Sequence, residues 1–405
     1  MLIALADSRP TTRGRVRHTM RHFDFLDDDE TQRLFFRAPK SFSPQDGIGR
    51  LAMGMGATLY TPATHRSLAV DIARRARQGL MSSVVCLEDA VADVDLAPAE
   101  ANAIAQLREL AKMKPPELMV FVRVRSPEQI ERIVTGLGEE QHILTGFVLP
   151  KFTSAVGSEF LDAVIQTGER RGRELFAMPV LEAGAVSYAE SRVQELLDIR
   201  ELLGKYAGTV LAVRIGATDL SSAYGLRRSR DLTAYDLRIV ADVIADIVNI
   251  LGRFDGTGHV ITGPVWEYFS AVERIFKSQL RESPFIEHSE VDLRATLIAR
   301  DLDGLIREVE LDKANGLCGK TVIHPSHVAV IHALSVVTHE EYCDAVDIVG
   351  TSAGGGVVVS AYGNKMNESK PHLNWAHRVL DRADLFGVAN EAASFVDLLG
   401  AGLNQ

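Results

Sequence analysis

Cysteine is scarce in this chain: three residues among 405, at Cys86, Cys318 and Cys343. The number is odd, the spacing is wide and no Cys-x-x-Cys pair occurs, so no disulfide framework is expected and a reducing cytoplasm is the natural setting. Positive charge is also short. Lysine and arginine number 44 against 54 aspartates and glutamates, a formal balance of -10. A general nucleic-acid binder needs a basic stripe to release counterions from phosphates, and the composition argues against that class. An anionic small molecule stays open, since a site can be locally positive inside an acidic protein. No apolar run approaches the length of a membrane-spanning helix, so no membrane partner is expected. No Gly-x-Ser-x-Gly elbow presents a serine nucleophile. Glycines do cluster between Gly47 and Gly56. They precede the first candidate strand, however, and a dinucleotide turn must follow it; the cluster reads as a tight approach to a barrel floor.

What is present is a recurring unit. Short apolar runs rich in β-branched residues end in polar or charged groups. They are Thr58 to Pro62, Val84 to Asp89, Val120 to Arg125, Gly146 to Lys151, Leu175 to Glu182, Val210 to Asp219, His259 to Pro264 and Lys320 to Pro325. Helical spacing of apolar residues lies between them, over Ser67 to Gln78, Ser126 to Leu137, Ser158 to Arg170, Ser191 to Leu203, Ala234 to Leu251 and Asp292 to Lys313. Strands alternating with amphipathic helices pair in parallel, because each crossover helix covers a sheet face. Eight such units predict an α/β fold, a (β/α)8 TIM barrel, with a C-terminal helical extension that the resemblance given below implies to be a lid.

Three segments follow: an N-terminal arm over 1–45, partly disordered; the barrel over 46–337; and a lid or oligomerisation segment over 338–405. The arm opens with a short apolar stretch before its arginines, the reverse of a signal peptide. It reads as a disordered tail, or as an upstream start with Met20 the true one. Trp266 to Phe285 reads as an amphipathic helix inserted near the mouth. Ser352 to Gly356 reads as a hinge. The last segment is too short for a core of its own and is expected to pack on its barrel or on a neighbour.

The active site of such a barrel forms where strands end. Those ends carry Glu88, Asp89, Arg123, Arg125, Lys151, Glu182, Asp219 and His324. Glu182 and Asp219 end consecutive strands about 5 Å apart. Their carboxylates can meet one Mg2+, a hard ion that keeps several waters. The alternative is that each pairs with a cation, Lys151 or Arg214 for example. Arg123 can grip a carboxylate or enolate oxygen with two hydrogen bonds, or form a salt bridge to Glu88 or Asp89; both can hold together. His324 and His327 lack a third zinc ligand and read as packing residues. Cys86 reads as core.

Six segments then fall into a recognisable order: Cys86-Leu87-Glu88-Asp89-Ala90-Val91, Val122-Arg123-Val124, Val148-Leu149-Pro150-Lys151, Pro179-Val180-Leu181-Glu182-Ala183, Gly216-Ala217-Thr218-Asp219-Leu220 and Gly319-Lys320-Thr321-Val322-Ile323-His324-Pro325-Ser326. Together they resemble the HpcH/HpaI aldolase and citrate lyase β-subunit family, from about Thr58 to Leu334. The chain looks like a divergent branch of it, similar to citrate-lyase-like barrels found with bacterial tellurite and stress-resistance clusters. The resemblance implies a cytoplasmic, Mg2+-dependent carbon–carbon lyase, a trimer or hexamer. It implies a small-molecule carboxylate or acyl-CoA substrate, a 3-hydroxy-acyl thioester or hydroxy or keto acid, cleaved or formed through an enolate. By that likeness Glu182 and Asp219 hold the metal, and Arg123, Glu88, Asp89 and Glu368 are catalytic. Arg123, Arg125, Lys151, Gly216, Ala217, Thr218 and Pro264 line the substrate. Pro62 to Arg66 looks like the family's first-strand loop. Lys365-Met366-Asn367-Glu368 resembles a lid motif that in some members reaches a neighbour's active site.

The departures cluster at the mouth. Cys86 stands where the family often has Asp, Arg125 where Asn is common, Thr218 where Glu precedes the metal Asp, and Glu368 is one carbon longer than Asp. Arg125 adds a second cation and favours a more anionic ligand. Two other readings therefore accompany the lyase. One is a thioester hydrolase or biosynthetic condensing enzyme with a non-CoA substrate, phosphorylated ones included. The other is a non-catalytic ligand-binding barrel, against which intact Glu182, Asp219 and Arg123 argue.

Overall fold

A computed structural model describes residues 19–269, 302–351 and 355–403. The expected Trp266 to Phe285 helix beyond residue 269, the start of the Asp292 to Lys313 helix, residues 1–18 and Ser352 to Gly354 lie outside them. A short strand β1 (Phe35–Arg37) comes first. Eight strands then close a parallel barrel in sequence order: β2 (Ala57–Pro62), β3 (Ser82–Cys86), β4 (Met119–Arg123), β5 (Gly146–Leu149), β6 (Phe176–Leu181), β7 (Val213–Ile215), β8 (Ile261–Trp266) and β9 (Lys320–Val322). The register of β2 against β9, Ala57 opposite Lys320, completes the ring. This is the TIM barrel that the strand–helix alternation predicts.

Side-chain alternation assigns each strand residue to one of two layers. Val84, Phe121, Val148, Met178 and Val180 fill the barrel interior. Val85, Val120, Val122, Leu149, Leu181, Val213 and Ile215 point outward and pack under the helices. The same parity turns Arg123 inward with Phe121, Glu182 inward with Val180, and Arg214 inward with Ala212. Ring closure also needs a glycine: Gly319 has φ +68, and a Cβ there would run into the Gly56 carbonyl that accepts from Lys320 N at 3.0 Å.

Two expected strand ends shift. β8 continues to Trp266, so Pro264 lies buried inside the strand at a break in register between Gly263 and Trp266. Proline has no N–H for the ladder, and the irregularity absorbs it. β7 stops at Ile215, and Asp219 falls in the first turn of the helix Ala217–Ser222. The 18-residue helix Leu96–Met113 has no counterpart in the periodic pattern. Its buried face is mostly small, Ala99, Ala103 and Ala111 with Leu107 and Leu110, so its apolar contrast is weak.

The chain after the barrel packs on its own barrel. Helices Ser326–Ser335, His339–Thr351, Leu373–Phe386 and Phe395–Leu403 make up most of it, with an exposed hairpin of β10 (Val357–Val359) and β11 (Met366–Glu368) between the second and third. Leu385 and Phe386 join Met20, Phe42 and Leu51 in the barrel-floor cluster. β12 (Val388–Ala389) pairs antiparallel with β1, tying the two ends of the chain together. Among the described residues no helix is long and apolar enough to cross a membrane.

Outside the barrel, Lys320 lies buried between β9 and the helix Asp303–Ala314. Its Nζ meets Glu308 Oε1 at 2.9 Å and Asp312 Oδ2 at 2.6 Å. Arg228 meets the other Glu308 oxygen, and Tyr235 donates to Asp312 at 2.8 Å. Burial pushes Asp312 up to about 6 despite Lys320. Lys320→Met leaves both acids facing a missing charge. It should cost ~3–5 kcal/mol in urea unfolding, the usual penalty for breaking a buried ion pair from one side; a loss near zero would show that Arg228 alone satisfies the site.

Candidate active site

Five successive strands deliver ionisable groups to one end of the barrel. Glu88 and Asp89 follow β3, Arg123 ends β4, Lys151 follows β5, Glu182 follows β6 and Asp219 follows β7. Arg123 is the hub. Its Nη2 lies 2.8 Å from Glu88 Oε2, 3.3 Å from Asp89 Oδ2 and 2.9 Å from Glu182 Oε1. Lys151 closes the ring, with Nζ 2.5 Å from Glu88 Oε1 and 3.2 Å from Asp89 Oδ1. Lys151 also takes φ +49, a conformation that costs an L-residue energy and collects at functional sites. In it the Lys151 backbone N–H donates to Glu182 Oε1 at 2.9 Å.

The electrostatics follow from burial and like charge. Burial raises Glu182, Arg123 pulls it back, Asp219 adds to the rise, and the carboxyl ends at about 7. Asp219 is raised by burial and by Asp89. Glu88 is raised by burial and by its hydrogen bond with Asp89, against Arg123 and Lys151. Burial opposes the charge on Asp89, but its bonds to Glu88, Arg123 and Lys151 outweigh that and hold it below the usual carboxylate range. Burial likewise opposes the charge on Arg123, and Glu182 foremost overcomes it.

Among the described residues no three His, Cys, Asp or Glu side chains converge as a ready-made metal cage. What exists is a carboxylate pair whose ion-pair partner, Arg123 on Glu182, is shared with Glu88 and Asp89. Arg123 and the Lys151 N–H both take Oε1 of Glu182. Oε2 lies against Gly216, where any Cβ would collide with it, on the side of the strand that leads to Asp219. Two hard oxygen donors, with the remaining positions open to water and substrate, are a set that suits Mg2+.

The other expected residues sit differently. Arg125 is spent on the loop after β3: Nε donates to the Leu87 carbonyl at 2.8 Å, Nη1 meets Asp93 at 2.5 Å and Nη2 meets the Val91 carbonyl. It braces that loop instead of offering the mouth a second free cation. Thr218, exposed, donates to Glu267 at 2.5 Å. Gly216 and Ala217 begin the Asp219 helix. Pro264 is buried in β8. Glu368 ends the exposed hairpin, its N–H on His372 Nδ1 at 3.1 Å. Among the described residues no hydrogen bond or ion pair links its carboxylate to the mouth of the same chain. His324 stacks on Phe269 at 4.6 Å and bonds Ser326 at 2.7 Å.

Tyr60 and Arg214, neither among the expected site residues, also face this interior. The guanidinium carbon of Arg214 lies 5.4 Å from the Tyr60 ring centre. Strand parity signals both, since Arg214 is in phase with Gly216 and Tyr60 with Pro62.

The profile of a family described as C-C bond lyases of the TIM-barrel fold matches residues 49–388. Among solved structures, a citrate lyase from Burkholderia xenovorans LB400 is similar at 15% identity and TM-score 0.57, over 85% of this chain and 96% of that one. CitE from Mycobacterium tuberculosis, in complex with magnesium, acetoacetate and coenzyme A, is similar at 19% identity and TM-score 0.49, over 81% and 97%. Haloferax volcanii malate synthase, in a pyruvate and acetyl-CoA ternary complex, is similar at 14% identity and TM-score 0.48, over 79% and 88%. Identities this low speak to fold alone. No curated protein matches the chain.

Proposed function

The chain belongs to the family of C-C bond lyases of the TIM-barrel fold, and on that premise we propose that it is a Mg2+-dependent lyase of the citrate lyase β-subunit type. It would cleave or form a 3-hydroxy-acyl thioester, or a hydroxy or keto acid, through an enolate. The observation that carries this reading is the Glu182–Asp219 pair beside an arginine locked in place by three carboxylates. Glu182 and Asp219 would hold the metal. When bound, Mg2+ would supply positive charge next to the oxygen on which negative charge develops.

The side chains divide the remaining work. Arg123 keeps Nη2 on the carboxylates, while its buried Nε has no protein acceptor. That edge is free for a substrate carboxylate or enolate oxygen, and it is already oriented before substrate arrives. Glu88, whose burial makes its carboxylate a stronger base than usual, is placed to take the 3-hydroxyl proton as the Cα–Cβ bond breaks. Lys151 keeps the acidic pair from repelling an anionic substrate. Protonation of the enolate carbon falls to Glu368 of a neighbouring protomer. Supporting this, Val357, Val359 and Met366 on the same hairpin are each more than half exposed, which suits burial against another copy in a trimer or hexamer.

Solvent exchange tests the enolate. With Mg2+ in D2O, the protein should wash deuterium into the methyl group of pyruvate or of acetyl-CoA, followed by NMR, and should cleave or condense members of an oxaloacetate, glyoxylate and acyl-CoA panel. Absence of exchange with both methyl donors, together with no turnover in the panel, overturns the reading.

A further inference from the structure

Outside the barrel lies a cavity of about 350 Å3, within the size range of small-molecule pockets, ~300–1,000 Å3. The pairing of β2 with β9 sets the first barrel helix, Leu68–Arg77, beside the helix Ser326–Ser335 that follows the last strand. The cavity opens where these two meet the N-terminal arm and the end of the helix Phe395–Leu403. Phe23 and Phe25 of the arm, with Leu80, Val328 and Leu403, give it an apolar lining. The two arm rings lie 6.0 Å apart. Gly79, at φ +92, lets the Phe25 ring close on the chain, since a Cβ there would meet that ring at 2.7 Å. None of Glu88, Asp89, Arg123, Lys151, Glu182 and Asp219 lines this space.

One cation interrupts the apolar wall. Arg75, half-buried, donates from Nη1 to Gln78 Oε1 at 2.9 Å. Among the described residues no acceptor takes its Nε or Nη2, and no ion pair gives it a carboxylate. The acid one turn earlier, Asp71, is committed to Arg74 at 2.5 Å and to His65 at 3.3 Å. Burial, with Arg74 adding, holds Arg75 below the usual arginine range, and Asp71 only partly offsets that. The Nε–Nη2 edge of a guanidinium takes a carboxylate through two parallel hydrogen bonds. Arg75 is the one arginine or lysine in the lining, which holds no aspartate or glutamate. A single negative charge on an apolar body complements such a surface.

We propose that this cavity is a binding site, separate from the barrel mouth, for a monocarboxylic acid with an aromatic or branched apolar body. The carboxylate takes Arg75, and the body packs against Phe23, Phe25 and Leu403. The site does not depend on the lyase reading.

3-Phenylpropionate and 3-phenyl-1-propanol test it, since they share a body and only the first carries a carboxylate. By calorimetry in EDTA, so that no metal at the mouth competes, the wild-type protein should bind the acid at least about tenfold tighter than the alcohol, the worth of one charge-assisted contact. Arg75→Gln should bring the ratio to near one. Phe25→Ala should weaken both ligands severalfold and keep the ratio. Arg123→Ala should bind the acid as the wild type does, which separates the cavity from the mouth. No binding of the acid, a wild-type ratio of one, an undiminished ratio in Arg75→Gln, or loss of binding in a folded Arg123→Ala protein overturns the proposal. Two residues follow Leu403 in the sequence. If only a protein shortened to end at Leu403 binds the acid, the chain's own end occupies the cavity and the proposal falls as well.

Discussion

Millimolar Mg2+ should raise the melting temperature of the wild-type protein, and Glu182→Gln combined with Asp219→Asn should abolish the shift and the exchange activity. At one hundred times its dissociation constant a ligand of the native state adds about 2.7 kcal/mol. The pH dependence sharpens the test. Burial, with Asp219 adding, lifts Glu182 from 4.5 to about 7 in the folded protein. A carboxyl whose folded pKa is raised binds its proton more tightly folded than unfolded. Its contribution is therefore fully present below the unfolded value and is lost as pH rises through 7. For a shift of this size that is on the order of 3 kcal/mol. Mg2+ displaces the same proton, so its stabilisation should be larger at pH 8 than at pH 6 in the wild type. The doubly substituted protein should show no Mg2+ shift at either pH, and without metal it should be the more stable of the two at pH 8. A wild-type protein indifferent to Mg2+ at pH 8 would remove the metal from the site.

The sequence shows some of these features and hides others, for physical reasons. Glu88, Arg123, Lys151 and Glu182 were legible because a buried strand is a run of apolar residues, and an ionisable group ending the run stands out. Arg125 ends such a run too, yet it braces the Leu87 to Asp93 loop; which way a strand-end arginine turns depends on carbonyls and a carboxylate 32 to 38 residues away in the chain. Arg214 reads in the sequence only as a possible partner for the carboxylates, because it lies in mid-run and only the two-residue parity marks it as interior; it bonds Thr321 instead. Lys320 was read as part of a motif, and its partners Glu308 and Asp312 lie on a helix whose charges look like an ordinary solvated face. The pairing of Phe35 with Ala389 joins residues more than 350 positions apart. No local pattern announces such a contact. The helix Leu96–Met113 escaped for the opposite reason, since an alanine face carries little contrast to detect.

Arg123→Ala and Glu368→Ala should each reduce turnover by at least about a hundredfold, and mixing the two inactive proteins should restore part of it. For Arg123 the loss has two sources. The substrate loses a rigid guanidinium edge, and Glu88, Asp89 and Glu182 lose the cation that they share. Arg123→Lys should recover little, because a lysine cannot reproduce the fork that meets those acids and leaves Nε for an oxygen. For Glu368 the loss is that of a proton donor. Its place on an exposed hairpin, with no hydrogen bond or ion pair to its own barrel mouth among the described residues, makes the two effects separable. If each site combines Arg123 of one protomer with Glu368 of another, random mixing in equal amounts leaves about one quarter of the sites with both residues intact. Action within a single chain predicts no recovery, since every chain in the mixture lacks one of the two. Denaturing and refolding the mixture ensures exchange of subunits, and turnover against mixing ratio should then peak at equal proportions. A flat line at the level of the single variants would place the proton donor inside the barrel that holds the arginine.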